Sequence, residues 1–507
     1  MTKDKDFYIA IERGEVSFNT KHGAEIYRRS LSILLECVIH ELYPKASLHV
    51  GQTLMNGYFY EINGGERLTD SFIDKVTARM RKIISADEKF KKIRMKKARA
   101  LRLCRKYGRD DKYKAVRYLP DAEIEIVFLR GYFDFMLAET VLSAGSLRTF
   151  RLIKYNHGFI LQFPARGDIE KLPAGKDRQR KLYKVYMETK EWNRILGIQN
   201  AGDLNCAIAD GSSRTLINVQ EAFHERKIVE IANMIKNSFP RKRLICVAGP
   251  SSSGKTTFIK RLGVQLRADG LRSTEISLDN YFHSREKTPR TKDGDYDFES
   301  VRALDLKFLR HQMGELLDGK EIRLQEYDFK QGRRKSTGCR LRLERDSLVL
   351  IEGIHALNPA ILPNIPSDKF FRIFVSALTQ LGIDNDNRIF TSDSRLIRRI
   401  VRDNKFRGYS ASDSIKRFPK VREGEDRYIF PFQRTCDVFF NSSLIYEQAV
   451  LKPLVEKLLN NVKKTDDSYF EARRLLYYLR FFLPIPSKRV PHNSILREFI
   501  GESAFHY

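Results

Sequence analysis

At 507 residues, 42% hydrophobic and 31% charged, the chain is too long for one ordinary core, and two or three domains of a globular protein are expected. No apolar run reaches the roughly eighteen residues that cross a bilayer, and the charged start MTKDKDFYIAIERGEV lacks the apolar stretch of a signal peptide, so a cytoplasmic protein with no membrane partner is expected. The 92 Lys and Arg against 64 Asp and Glu give a net charge of +28, a field that draws nucleotides, nucleic acid or anionic membrane without choosing among them, and that a general basic bias of the source proteome would raise just as well.

In chain order, residues 1–23 form a terminal segment and 24–170 an α+β domain in which alternating stretches such as GYFYEI mix with basic helical ones. Between Lys89 and Arg117 stand 14 Lys or Arg residues. Such a run either grips an RNA backbone through counterion release or is a long solvated helix. Residues 171–240 read as a helical connector ending near Phe239-Pro240. From 241 to 464 the apolar strand-like runs LICVAG, SLVLIEG, FFRIFVSA and CDVFFNSS alternate with helical patterns such as ALDLKFLRHQMGELLDG. That alternation predicts an α/β domain with a mostly parallel sheet and helices on both faces. The tail, 465–507, carries a helical FEARRLLYYLRFF and then the proline-bearing FLPIPSKRVPHNS, read as an extended packing strap. Cysteines 37, 104, 206, 246, 339 and 436 show no CxxC pair and no metal-ligand spacing, which fits reduced thiols.

The strongest local signal is Gly249-Pro250-Ser251-Ser252-Ser253-Gly254-Lys255-Thr256, a complete G-x4-G-K-[ST] pattern between a predicted strand and a predicted helix that opens at Thr257, itself counted with the loop among the nucleotide-binding residues. Its glycines let the backbone curl so that N–H groups face phosphate oxygens. Lys255 then reaches the β- and γ-phosphates of ATP, and the Thr256 hydroxyl holds Mg²⁺. Glu352, closing the apolar strand SLVLIE, is the expected second Mg²⁺-organising group. A kinase also needs a base and cations. Asp279, in EISLDNYF, stands at the end of the next predicted strand, where an acceptor hydroxyl would meet the γ-phosphate. Arg395, Arg398, Arg399 and Arg402 recur at i, i+3, i+4 and i+7 on one predicted helical face, with Arg407 beyond, and read as a phosphate-covering lid.

At these residues the chain resembles the uridine kinase and phosphoribulokinase family, over roughly Leu244 to Lys457. The order GPSSSGKTT, LDNYF, DYDFES, EYDF, LVLIEGIHAL, DSRLIRRIVRD with RG, and CDVFFNSS carries the likeness. The resemblance implies that Asp279 is the general base for a ribose 5′-hydroxyl and that Asp297 anchors the ribose. It also implies that Tyr327 lines the base pocket and that Arg399, Arg402 and Arg407 serve the lid and phosphates. Three positions depart from the nucleoside kinases: Gly332 stands for a base-contacting histidine, Arg417 for a glutamine after the lid, and Tyr409 for a lid arginine. The expected activity is ATP- and Mg²⁺-dependent phosphorylation of a nucleoside, uridine or cytidine first. A kinase of another small hydroxylated metabolite, an RNA-binding phosphate-loop NTPase and a nucleotide-binding regulator are the alternatives.

Residues from about Ala24 to Pro164 resemble the second additional domain of threonyl- and alanyl-tRNA synthetases, chiefly through VIHELYPKASLHVGQTLMNGYFYEI. In the synthetases a His-x3-His and a Cys-x3-His line a hydrolytic cleft. Here those places read Arg29, Ile33, Met136 and Thr140, which are no such ligand set, so a metal-free domain without deacylase activity is expected. His40 nearby is a lone histidine. RVPHNSILREFIGES is similar to the tail of two-part bacterial kinases that fuse such a domain to a uridine kinase.

Overall fold

The computed structural model describes residues 17–165, 167–173, 179–291, 294–328, 331–363 and 365–506; the opening MTKDKDFYIAIERGEV lies outside them. Two compact units emerge. The first runs to Ser213 and takes in Thr379–Phe390 and Gln448–Ile485; the second comprises Arg214–Leu378, Thr391–Glu447 and the chain from Pro486 on. The contact boundary therefore falls at Ser213 rather than near Phe239-Pro240, and both the connector and the tail are divided between the units.

In the first unit α1 (Lys21–Leu42) starts where the Thr20 side chain accepts from the Gly23 N–H, satisfying an orphan donor of the first turn. Its Leu31, Ile33, Leu34, Leu35 and Val38 are fully buried. They share a core with Phe72, Val76 and Met80 of α2 (Asp70–Ser85). Strands β1 (Ser47–Leu54) and β2 (Gly57–Asn63) join β6 (Arg151–Tyr155) and β7 (Gly158–Gln162) in an antiparallel sheet of order β1-β2-β7-β6. The first five residues of β2 are all buried, so GYFYEI is covered on both faces rather than alternating in and out.

The basic run is not the long helix its density allowed. It divides into β3 (Lys91–Lys96), α3 (Lys97–Lys106) and α4 (Asp110–Arg117), with Gly108 at φ +63° making the break. Strand β3 pairs with β4 (Glu123–Leu129), and β4 with β5 (Tyr132–Phe135). Helices α5 (Arg180–Leu196) and α6 (Ala201–Ala209) complete the part before Ser213.

The second unit opens with α7 (Ser213–Ser238) and holds the expected α/β sheet. Strands β8 (Leu244–Ala248), β9 (Arg272–Ser277), β12 (Ser347–Glu352), β13 (Phe370–Ser376) and β14 (Val438–Asn441) are all parallel, in the order β14-β13-β8-β12-β9. Strand β8 is buried along its whole length and β12 as far as Glu352, as a sheet covered on both faces requires. Helices α8 (Lys255–Ala268), α9 (Leu306–Leu317), α10 (Thr391–Arg407) and α11 (Ala411–Tyr428) accompany it. An antiparallel hairpin of β10 (Ile322–Asp328) and β11 (Arg333–Leu341) had no forecast in the sequence reading. Helix α12 (Glu447–Asn460) closes the α/β region, and in the tail α13 (Tyr469–Leu479) precedes a proline-rich stretch that ends in the short helix α14 (Arg497–Ile500).

Candidate active site

Strand register assembles the site. Val247 of β8 pairs with Glu352, and Glu352 with Ser277 of β9, so three carboxyl ends lie level. The loop Gly249–Gly254 leaves from the first, Glu352 closes the second, and Asp279 follows two residues past the third. A parallel sheet binds ligands at such an edge.

The loop itself is built for close backbone approach. A Cβ on Gly249 would lie 1.9 Å from the Val375 carbonyl oxygen, and Gly254 sits at φ +81°, so neither place tolerates a side chain without strain. The Ser252 and Ser253 hydroxyls are buried with no hydrogen-bond partner among the described residues, an unmet polar pair that phosphate oxygens would satisfy. Lys255 donates to the Pro250 carbonyl at 3.2 Å from within the loop. The Thr256 hydroxyl donates to Glu352 Oε1 at 3.4 Å. This hydroxyl–carboxylate pair is the hard-oxygen donor set that Mg²⁺ takes, so the residues fit the ion.

Electrostatics join the base candidate to the same centre. Asp279 remains accessible, yet its protein surroundings push its carboxyl up, against the pull of Lys255, Arg407 and Arg402. Glu352 is pushed up to about 7 by desolvation, with Lys255 opposing and Asp279 and Glu498 adding to the rise. Lys255, Asp279, Glu352, Arg402 and Arg407 thus share one electrostatic field.

The predicted lid face divides in two. Arg395 is fully buried and ion-paired with Glu425, also donating to the Ser251 carbonyl at 2.9 Å. Arg398 is fully buried against Glu447 and the Ser442 carbonyl. These two are internal supports of the loop rather than lid cations, a correction to the reading of a uniform arginine face. Arg399 does face the loop, 3.2 Å from the Ser251 hydroxyl. Arg399, Arg402 and Arg407 gather round the buried Asp403, at 3.2, 2.8 and 3.5 Å. Arg417 stacks on Tyr409, 4.2 Å from its ring centre.

On the acceptor side, Asp297 is half-buried, with its N–H donated to the Pro289 carbonyl at 2.7 Å. Tyr327 is buried with its ring 5.7 Å from that of Phe282, which also meets Phe298 at 5.9 Å. This aromatic group ties the LDNYF, DYDF and EYDF motifs together. Gly332, at φ +69°, packs on the Arg285 side chain, where a Cβ would be 2.9 Å away.

Sequence reasoning missed five residues. Glu299 is pushed up to about 7 by desolvation and by Glu425, with Arg399 opposing. His355, buried beside Tyr428, is pushed down to about 4 by desolvation. Asp403 and Glu425 are the acid partners of the α10 arginines. Glu498, in the tail read as packing alone, accepts from the Thr257 N–H at 3.2 Å and from its hydroxyl at 3.0 Å. Only IEGIHAL and the tail SILREFIG, polar residues set in apolar segments without evident need, could have flagged His355 and Glu498.

In the first unit the four synthetase-aligned places hold no ligand cluster among the described residues. Arg29 is ion-paired with the buried Asp134 and donates to the Phe135 carbonyl at 2.9 Å, while Ile33, Met136 and Thr140 are buried. Asp111, Asp384 and Asp386 do converge there. The buried Lys112 ammonium already serves that cluster, 3.2 Å from Asp384 and 2.9 Å from Asp386, and also pairs with Asp134. The His40 ring lies 6.3 Å from that of Tyr107 and 5.9 Å from that of Tyr132, and desolvation pushes its imidazole down.

Fold and site together define a phosphate-loop α/β domain. The Phosphoribulokinase / Uridine kinase family pattern matches residues 244–445. The uridine kinase of Brevibacillus brevis is 30% identical over 196 residues, 38% of this chain and 82% of that protein. The uridine kinase of Lactobacillus helveticus is 28% identical over 196 residues, 38% of this chain and 84% of that protein. The chain belongs to the phosphoribulokinase / uridine kinase family. Its front region matches the threonine–tRNA ligase of Clostridioides difficile at 33% identity over 116 residues, 23% of this chain and 18% of that ligase. Among solved structures, a possible uridine kinase from Bacillus stearothermophilus aligns with a TM-score of 0.30 and 17% identity, over 43% of this chain and 98% of that one. Among the described residues no helix is long and apolar enough to cross a membrane.

Proposed function

We propose that the second unit phosphorylates the 5′-hydroxyl of a nucleoside, uridine or cytidine first, using ATP with Mg²⁺. The observation that carries this is Asp279, two residues past a strand end level with Glu352 and with the strand that leads into the phosphate loop, its carboxyl pushed up by its surroundings against the pull of Lys255, Arg407 and Arg402. A phosphate loop used only as a switch needs no such base.

In this reading Asp279 takes the proton as the acceptor oxygen attacks the γ-phosphorus, and its raised basicity suits that task. Lys255 neutralises the β- and γ-oxygens, while Arg402 and Arg407 offset charge on the migrating phosphoryl group. Thr256 and Glu352 would hold Mg²⁺, which supplies charge neutralisation at the donor phosphates. Asp297 anchors the ribose, Arg399 braces the loop at Ser251, and Tyr327 with Phe282 walls the base. The names of the uridine kinase relatives support a pyrimidine nucleoside. Gly332 and Arg417 make the base-reading contacts this chain's own.

An assay of ADP release with uridine, cytidine, purine nucleosides, pantothenate and ribulose 5-phosphate tests the reading. Nucleoside-dependent release strongest with a pyrimidine supports it. Release with another acceptor alone would move the substrate and keep the kinase, and release without any acceptor would favour an NTPase.

The exposed Lys91, Arg99, Arg102 and Lys106 on β3 and α3 support a second role for the first unit, contact with an RNA backbone. The threonine–tRNA ligase relatives fit that partner.

A further inference from the structure

The tail turn at Arg497–Ile500 is held too firmly to be a loose strap. The Arg497 side chain, 1% exposed, donates to the carbonyls of Ser487, Val490 and Gly501 and pairs with Glu502 at 3.0 Å. Phe499 lies under the Arg398 guanidinium, 5.1 Å from ring centre to Cζ, and Lys405 donates to the Ile500 carbonyl. Ile495 covers the phosphate loop so closely that a Cβ on Gly254 would lie 2.4 Å from its Cγ2. The turn is thereby fixed to the loop and to the lid helix α10.

What it delivers is a carboxylate. Glu498 Oε2 takes both the N–H and the hydroxyl of Thr257. Thr257 lies in the first turn of α8, where backbone N–H groups lack helical partners and the helix dipole favours an anion. Its N-cap is Gly254, which has no side chain to offer, so Glu498 caps the helix from 241 residues away. In a phosphate loop those same first-turn donors cradle the α- and β-phosphates of the nucleotide. A carboxylate and a phosphate cannot share them, because like charges at contact distance repel and each donor bonds one acceptor well.

We propose that Glu498 is a tethered occupant of the donor's phosphate seat, and that a nucleotide binds by displacing it from Thr257. The inference rests on the proposed donor role of the loop. The tail then sets donor affinity: occupation of Thr257 raises the concentration of nucleotide needed.

The test compares ADP, ATP and adenosine binding to the full chain carrying Glu498→Ala, Glu498→Gln or Lys255→Met. Glu498→Ala tightens ADP binding by about tenfold, the scale of a charge-assisted hydrogen bond no longer competing. Glu498→Gln, which keeps the side chain's size, tightens it less. Adenosine, lacking phosphate, binds all Glu498 variants alike. Melting of each variant without nucleotide verifies folding, and the melting shift on adding ADP is larger for both Glu498 variants than for the unaltered chain. If ATP binding depends on Lys255 while Glu498→Ala leaves ADP affinity unchanged or weaker, the tethered-occupant proposal is wrong and the donor site stands. If Lys255→Met binds ATP as well as the unaltered chain does, the donor reading fails and takes this proposal with it.

Discussion

Lys255, Asp279 and Glu352 each make a distinct claim at the residue scale. Lys255→Met should cut phosphoryl transfer by orders of magnitude, since among the described loop residues no other side chain can neutralise the β/γ oxygens. Steady-state turnover checks it, and near-native turnover would refute the loop's role. Asp279→Asn should lower turnover by roughly 10²–10⁴-fold and leave ATP affinity nearly unchanged. An equal loss of ATP affinity would make Asp279 a metal ligand instead. Glu352 gives a pH signature. Its folded value of about 7 lies above the ordinary 4.5, so its contribution to stability is fully present below about 4.5 and is lost as pH rises through 7. The metal-free protein should therefore lose melting temperature over that window, less steeply in Glu352→Gln. Mg²⁺ affinity should rise over the same window as the carboxylate ionises, and a flat Mg²⁺ affinity from pH 5 to 8 would argue against Glu352 as a ligand.

At the element scale, α10 carries two kinds of arginine on one face. Arg395→Ala strips the buried Glu425 of its close ion-pair partner and leaves Arg422 at 3.7 Å, and removing one member of a buried pair costs about 3–5 kcal/mol. Arg402→Ala, at a half-buried place beside Asp403, should lower turnover with little change in melting. Thermal melts set beside turnover for both variants test the division, and equal melting losses would remove it. The helix was legible from its i, i+3, i+4, i+7 spacing, but the division was not. Glu425 and Glu447 lie 30 and 49 residues from their arginines, and no local pattern reports such pairing. The parallel strands were legible for the opposite reason: LICVA, SLVLIE and FFRIFVS are apolar runs whose burial on both faces is written locally. The hairpin β10-β11 escaped because RRKSTGCRL is polar and largely exposed, so its pairing rests on backbone hydrogen bonds rather than on a hydrophobic face.

At the scale of the molecule, the phosphate loop, Asp279 and Glu352 were readable because each sits at a strand end beside its own motif. Glu498 was not, since its partner Thr257 is brought to it only by folding. In the first unit the sequence showed which ligands the synthetase-like places lack. It did not show that Lys112 would be buried among Asp134, Asp384 and Asp386, the last two supplied by the segment Thr379–Phe390. Replacing Arg99, Arg102 and Lys106 by Glu should weaken RNA binding and flatten its salt dependence without altering nucleoside turnover, which titrations at several salt concentrations would check. An unchanged salt slope would remove α3 from the interface. The most direct measurement for the whole account is transfer of the γ-phosphoryl group of labelled ATP to uridine or cytidine by the full chain with Mg²⁺. The account predicts a labelled nucleoside 5′-monophosphate that is absent with Lys255→Met and reduced by orders of magnitude with Asp279→Asn. Inorganic phosphate released without any labelled acceptor, or a labelled product undiminished by Asp279→Asn, would contradict it.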